Sequence, residues 1–265
     1  MKNIVLILVL LTAITTGGQE ILPVKQLTNT EASIDSYVGT DAFGWQYTIA
    51  ENEFHKTKDG RTLKYKNVAL GDIYKVDIQS PLQIVLFYKK QNTAVLLDNQ
   101  LNETNRINFS ISKDNQPELV AEAVGLASQN RLWVYDIISQ QVGLYDIAQS
   151  TFKTITPPSN DGITYYASDY NYFYWTDNNN LCRRVNVFGR VDVLGTVPVF
   201  DYAQLTTAKQ FIYSKNNNIY IHNFNGMPNQ QIQLTEKSIQ SFYYTAQILT
   251  IFTGTQITSY QITLP

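Results

Sequence analysis

A pattern of about 40 residues recurs along the chain, and few folds can absorb such a repeat. Each copy has a short strand-like run, a polar gap, an aromatic-rich run, a turn rich in Asn, Gly or Lys, and further strand-like runs. The clearest copy reads 163–168 (ITYYAS), 172–176 (YFYWT), the turn 177–180 (DNNN), 181–187, the turn Phe188-Gly189-Arg190 and 191–194. The next copy runs 202–206, 210–214, the turn 215–218, 219–224, the turn Asn225-Gly226 and 230–234. Asn- and Gly-bearing turns between alternating runs are hairpin signals. Equivalent positions in the central run fall at Tyr47, Phe87, Val134, Trp175, Tyr213 and Ile251, with intervals of 40, 47, 41, 38 and 38 residues. Nowhere does an apolar i, i+3, i+4 pattern persist for three helical turns.

Four short strands in about 40 residues is the size of a propeller blade. Six units fill the 265 residues. The expected fold is therefore all-β, a single six-bladed β-propeller over residues 19–265. Its blades are expected near 34–68, 72–110, 120–156, 163–196, 200–234 and 239–264. The last unit ends at Pro265 with three strands, and the segment 22–28 has no unit of its own. A ring left open exposes a sheet edge. Residues 24–27 are therefore expected to supply the missing strand of the last blade.

The N-terminal 18 residues read as an export signal. Lys2 precedes the apolar run 4–11, and small residues up to Gly17-Gly18 precede a polar stretch. The run is too short to span a bilayer. With no Cys near the expected cleavage point, the exported chain is expected not to be a lipoprotein. The Gly-Gln-Glu ending resembles signal peptides of flavobacterial proteins, which implies a periplasmic or extracellular location.

The stretch Tyr174-Trp175-Thr176-Asp177 reads YWTD and resembles the six-bladed YWTD-type propellers of lipoprotein-receptor ectodomains. Neighbouring units carry looser versions, Trp133-Val134-Tyr135-Asp136 and Ile212-Tyr213-Ser214-Lys215. The resemblance implies that Trp175 packs and Asp177 hydrogen-bonds within its blade.

Composition narrows function by subtraction. Lys and Arg number 20 against 22 Asp and Glu, without a basic stripe, so nucleic acid is not an expected partner. The only Cys is Cys182 and the only His are His55 and His222, in three different units. No zinc site or nucleophilic triad is expected from them, and no cofactor motif is present. Carboxylates can converge at a propeller mouth, and Asp35, Asp72, Asp169 and Asp201 each sit near the expected start of a first strand. The 18 Tyr and 12 Phe can serve either sugar stacking or packing between blades. The resulting expectation is an exported, non-enzymatic scaffold that binds a protein of the cell envelope or of an outer-membrane complex. The alternative is a glycan-binding protein or a carboxylate-based glycosidase or lyase. An apolar patch on one face favours the first, and acidic residues converging at one mouth favour the second.

Overall fold

A computed structural model describes residues 21–111 and 118–264. The expected export signal over residues 1–18 lies outside them. The chain forms six four-stranded antiparallel units. Blade 1 holds β3 (Ser36–Thr40), β4 (Gln46–Ala50), β5 (Glu53–Lys58) and β6 (Arg61–Tyr65). Blade 2 holds β7 (Lys75–Asp77), β8 (Ile84–Tyr88), β9 (Thr93–Leu97) and β10 (Glu103–Asn108). Blade 3 holds β11 (Ala121–Ala127), β12 (Arg131–Asp136), β13 (Gln141–Asp146) and β14 (Thr151–Thr154). Blade 4 holds β15 (Tyr165–Ser168), β16 (Tyr172–Thr176), β17 (Leu181–Asn186) and β18 (Val191–Thr196). Blade 5 holds β19 (Tyr202–Thr207), β20 (Gln210–Lys215), β21 (Asn218–Asn223) and β22 (Gln230–Ile232). Blade 6 holds β23 (Ser241–Thr245), β24 (Ile248–Phe252) and β25 (Gln256–Gln261), completed by β2 (Lys25–Glu31). The six residues that set the sequence period all lie in the second strand of their blades.

Strand alternation explains why the blades pack as a ring. Successive side chains on a strand face opposite sides. All five residues of β8 are buried, and they divide by parity. Val85 and Phe87 enter one apolar cluster with Leu132 and Val134 of blade 3. Ile84, Leu86 and Tyr88 enter another with Tyr47 and Phe54 of blade 1. On β12 the same division sends Trp133 and Tyr135 towards Phe173 and Trp175 of blade 4. Every gap between adjacent blades holds such a cluster. Each large side chain buried this way contributes about 1.5–3 kcal/mol.

The N-terminal segment closes the ring. β2 pairs antiparallel with β25 from Lys25↔Gln261 to Glu31↔Gln256. The closing strand thus begins one residue later than expected and runs four residues further. The sequence reading did not anticipate β1 (Ile21–Leu22), which pairs parallel with β22 as a fifth strand on blade 5. One segment therefore laces blade 5 to blade 6. The seam between blades 6 and 1 has the smallest buried apolar cluster, Tyr37, Phe252 and Ile257.

Candidate functional site

Chain direction sorts the loops. The first strand of each blade is innermost, and all six run the same way along the channel. The loops leading into first strands therefore share a face with the turns between second and third strands. We call this the lead-in face. Turns between first and second strands, and between third and fourth, lie on the opposite face.

Asp35, Asp72 and Asp201 lie on the lead-in face, all exposed. Asp72 pairs with Lys90 at 2.8 Å, and Asp201 accepts from the Asn216 backbone N–H at 3.0 Å. Asp169 is placed differently from its expected position. It follows β15 rather than preceding it, so it sits on the opposite face. There it accepts from the backbone N–H groups of Asn171 and Tyr172 and from the Tyr174 hydroxyl. β15 ends at Ser168, so Asp169 opens the turn into β16. The four carboxylates are not brought together, and among the described residues no three His, Cys, Asp or Glu side chains form a metal-holding group.

His55 binds Glu53 at 2.7 Å, and Lys64 binds the same carboxylate at 2.9 Å. The Lys64 and His55 hydrogen bonds hold the Glu53 carboxyl below its ordinary value. His222 is a separate site, bonded to Asn229 at 2.8 Å. Burial pushes the Cys182 thiol up to about 12, which keeps it an unreactive thiol at neutral pH.

Trp175 is 7% exposed and packs between blades 3 and 4. Asp177 is fully buried and accepts from the Asn179 and Leu181 backbone N–H groups and from Arg183. Arg183 also approaches Asp161 at 3.5 Å. Above Trp175 the lead-in loop of blade 4 leaves a crevice of about 240 Å³, lined by Tyr135, Pro157, Pro158 and Arg183 among others. Tyr166, Phe173 and Trp175 line the interface of blades 3 and 4 and Tyr165 packs with blade 5, whereas Tyr170, on the opposite face, is well exposed. A flat aromatic platform for sugar is therefore not formed by them.

The lead-in face over blades 2 and 3 carries a feature that sequence reasoning missed. Tyr74, Val120, Ile137 and Ile138 are all exposed there, Ile138 at 63%. Contacts between blades 2 and 3 join them into one surface. Lys89 lies 4.8 Å from the Tyr74 ring centroid and pairs with Glu122, two residues from Val120. The Val120 carbonyl accepts from the Ile137 backbone N–H at 3.0 Å, and the Asp136 carboxylate accepts from Val120 N–H. Asn92 fixes the adjoining loop through Leu119 and Ala121. The crevice over Trp175 borders the same turn through Gln140. One sequence signal was available. Two consecutive isoleucines occupy the turn after Asp136, where the next two blades use asparagines.

These features define a six-bladed propeller with an apolar patch on its lead-in face. No protein family and no curated protein matches the chain. Among solved structures, it is similar to a streptogramin B lyase, with a TM-score of 0.59, 12% identity, and coverage of 90% of this chain and 98% of that one. Virginiamycin B lyase from Staphylococcus aureus gives a TM-score of 0.57 at 10% identity, covering 89% and 99%. The Cps50 (Swd1) β-propeller domain from Myceliophteria thermophila gives 0.60 at 10%, covering 91% and 100%. The extracellular domain of a putative one-component system from B. thetaiotaomicron gives 0.51 at 11%, covering 90% of this chain and 40% of that one. At these identities the likeness shows the fold. It also corrects the expectation that the chain is not an enzyme, because the same frame carries lyases. Propeller sites assemble from loops of different blades, so the lack of a local catalytic motif does not separate enzymes from other propellers. Among the described residues, no helix is long and apolar enough to cross a membrane.

Proposed function

We propose that this chain is an exported recognition propeller that holds a protein partner of the cell envelope against its lead-in face over blades 2 to 4. The observation that carries the reading is the joined apolar surface of Tyr74, Val120, Ile137 and Ile138 on a rigid closed frame. Loops on such a frame are where binding sites sit, and an apolar patch rimmed by Lys89, Lys90 and Glu122 is typical of protein contacts. The separate partners of Asp72 and Asp201, and the place of Asp169 on the opposite face, favour this reading over a carboxylate-based glycosidase. The extracellular domain from B. thetaiotaomicron is built on the same plan, which supports an exported location.

Site-specific photo-crosslinking in the native cell tests this. A crosslinker replacing Ile138 is expected to trap one partner of defined mass. The same group at Phe188, 91% exposed on the opposite face, is expected to trap none. With the crosslinker kept at position 138, Ile137→Glu should abolish the adduct without lowering the melting temperature. Equal trapping at both faces, or adducts only with a second copy of the chain, would overturn the proposal.

A further inference from the structure

The central channel holds a second feature, independent of the lead-in face. The inner strand β11 presents the neutral Val124 to the channel cavity. β7 instead reads Lys75-Val76-Asp77. Lys75 reaches past β11 of blade 3 to blade 4. Its Nζ donates to the Tyr166 carbonyl of blade 4 at 2.5 Å and lies 3.4 Å from the Tyr166 ring centroid and 5.7 Å from that of Tyr165. These side chains wall a cavity of about 350 Å³ together with Asp77, Tyr202 and Tyr243. Most of its walls are half-buried rather than sealed, so water enters. The volume is that of a small-molecule pocket.

The two charges in this cavity are not equally satisfied. Asp77 accepts from the backbone N–H groups of Gln79 at 2.9 Å and Leu126 at 2.8 Å, and from Ser168. Gly125 makes this junction possible, because a Cβ there would stand 2.1 Å from Ser168 Oγ. Asp77 therefore stitches blade 2 to blades 3 and 4. An ammonium has three donors, and Lys75 spends one on a carbonyl and rests on a ring. Among the described residues, its charge has no anion at contact distance.

We propose that the channel binds a small organic monoanion, a carboxylate on a ring-bearing body, with Lys75 receiving the carboxylate and the tyrosines packing against the ring. A monoanion fits better than a phosphate dianion because there is one cation and the Asp77 carboxylate stands nearby. A ring fits because Tyr165, Tyr166, Tyr202 and Tyr243 supply aromatic walls. Burial lowers the Lys75 amine to about 8, with Asp77 opposing the drop. The other titratable groups facing it are the phenols of Tyr165 and Tyr166 from β15, Tyr202 from β19 and Tyr243 from β23. Burial raises all four, so they stay neutral throughout the window of interest. β3 and β11 present only Val38 and Val124 to the cavity. Anion binding must therefore draw a proton onto Lys75 as the pH approaches about 8.

Isothermal titration calorimetry of the intact protein with benzoate, its neutral isostere benzamide and inorganic phosphate is the test. Benzoate is expected to bind at neutral pH at least about tenfold more tightly than benzamide or phosphate, a difference of about 1.4 kcal/mol. Lys75→Met should lose at least about the same factor. That variant should fold, since Met has similar length and needs no anion, and its melting temperature checks this. Should Lys75→Met not fold, the wild-type protein still decides. Benzoate affinity should fall about tenfold per pH unit above the Lys75 value, and the enthalpy near it should vary with the buffer's ionisation heat. Equal binding of benzoate and benzamide, a pH-independent affinity, wild-type binding by Lys75→Met, or no benzoate binding would each overturn the proposal.

Discussion

Asp177 has no exposed surface, yet both of its oxygens are in use. One oxygen caps the turn after β16 through Asn179 and Leu181, and the other receives the Arg183 guanidinium. Removing an acceptor that serves buried donors costs far more than losing an exposed one. Asp177→Ala should therefore lower unfolding stability by about 3 kcal/mol, because it strands a half-buried Arg183 as well as two backbone donors. Asp201→Ala, which removes one exposed contact, should stay within about 0.5 kcal/mol. Urea midpoints at constant m-value check both. Equal midpoints for the two variants would mean that the Asp177 turn is held by its backbone alone. The sequence motif that first drew attention to Asp177 points to the same local chemistry. Its neighbour Trp175 is legible for a similar reason, since a tryptophan in an alternating run belongs to a blade interface.

At the scale of strands, legibility follows periodicity. The second strands were readable in all six blades because their alternating apolar residues must face two neighbours at once, and that leaves a strong pattern. The longest interval, between Phe87 and Val134, reflects the extended lead from β10 to β11. β1 was not readable, because two residues carry no pattern and parallel addition leaves no turn signal. The Tyr74–Val120–Ile138 surface was hidden for another reason. Its members are separated by tens of residues and meet only because blades 2 and 3 pack side by side. The difference between β1 and β2 leads to a prediction. A chain starting at Pro23 loses two residue pairs and should melt within a few degrees of the full chain. A chain starting at Ala32 loses β2 and leaves β25 as a bare edge beside the seam with the smallest buried cluster. Unpaired edges recruit other chains. That shorter chain should elute as oligomers and lose a single cooperative melting transition, read by size-exclusion chromatography and calorimetry. A monomeric, cooperatively melting product would show that the seam closes without the N-terminal strand.

For the whole ring, the phenols buried between blades and around the channel set how the molecule meets alkali. Burial raises Tyr37, Tyr47, Tyr165, Tyr166, Tyr202 and Tyr243 above the ordinary phenol value. In the unfolded chain these groups ionise near about 10. Above that pH the unfolded state holds fewer protons than the folded one, so stability must fall as pH rises. Lys75 acts in the opposite sense. Its folded value is lowered to about 8, so between there and its unfolded value of 10.5 the unfolded state holds the extra proton and stability rises. Burial lowers Lys56 in the same sense, so two lysines oppose several phenols. The melting temperature should therefore hold or rise slightly from pH 8 towards 10 and then drop steeply. Because each buried phenol lies in a cluster shared by two blades or on the channel they enclose, ionising one loosens a junction on which its neighbours depend. Tyrosinate absorbance should then appear together with loss of the far-ultraviolet sheet signal, in one step. A gradual titration centred near 10 with the sheet signal intact would mean that the phenols reach solvent without opening the ring. The blade clusters would then be separable units rather than one closed core.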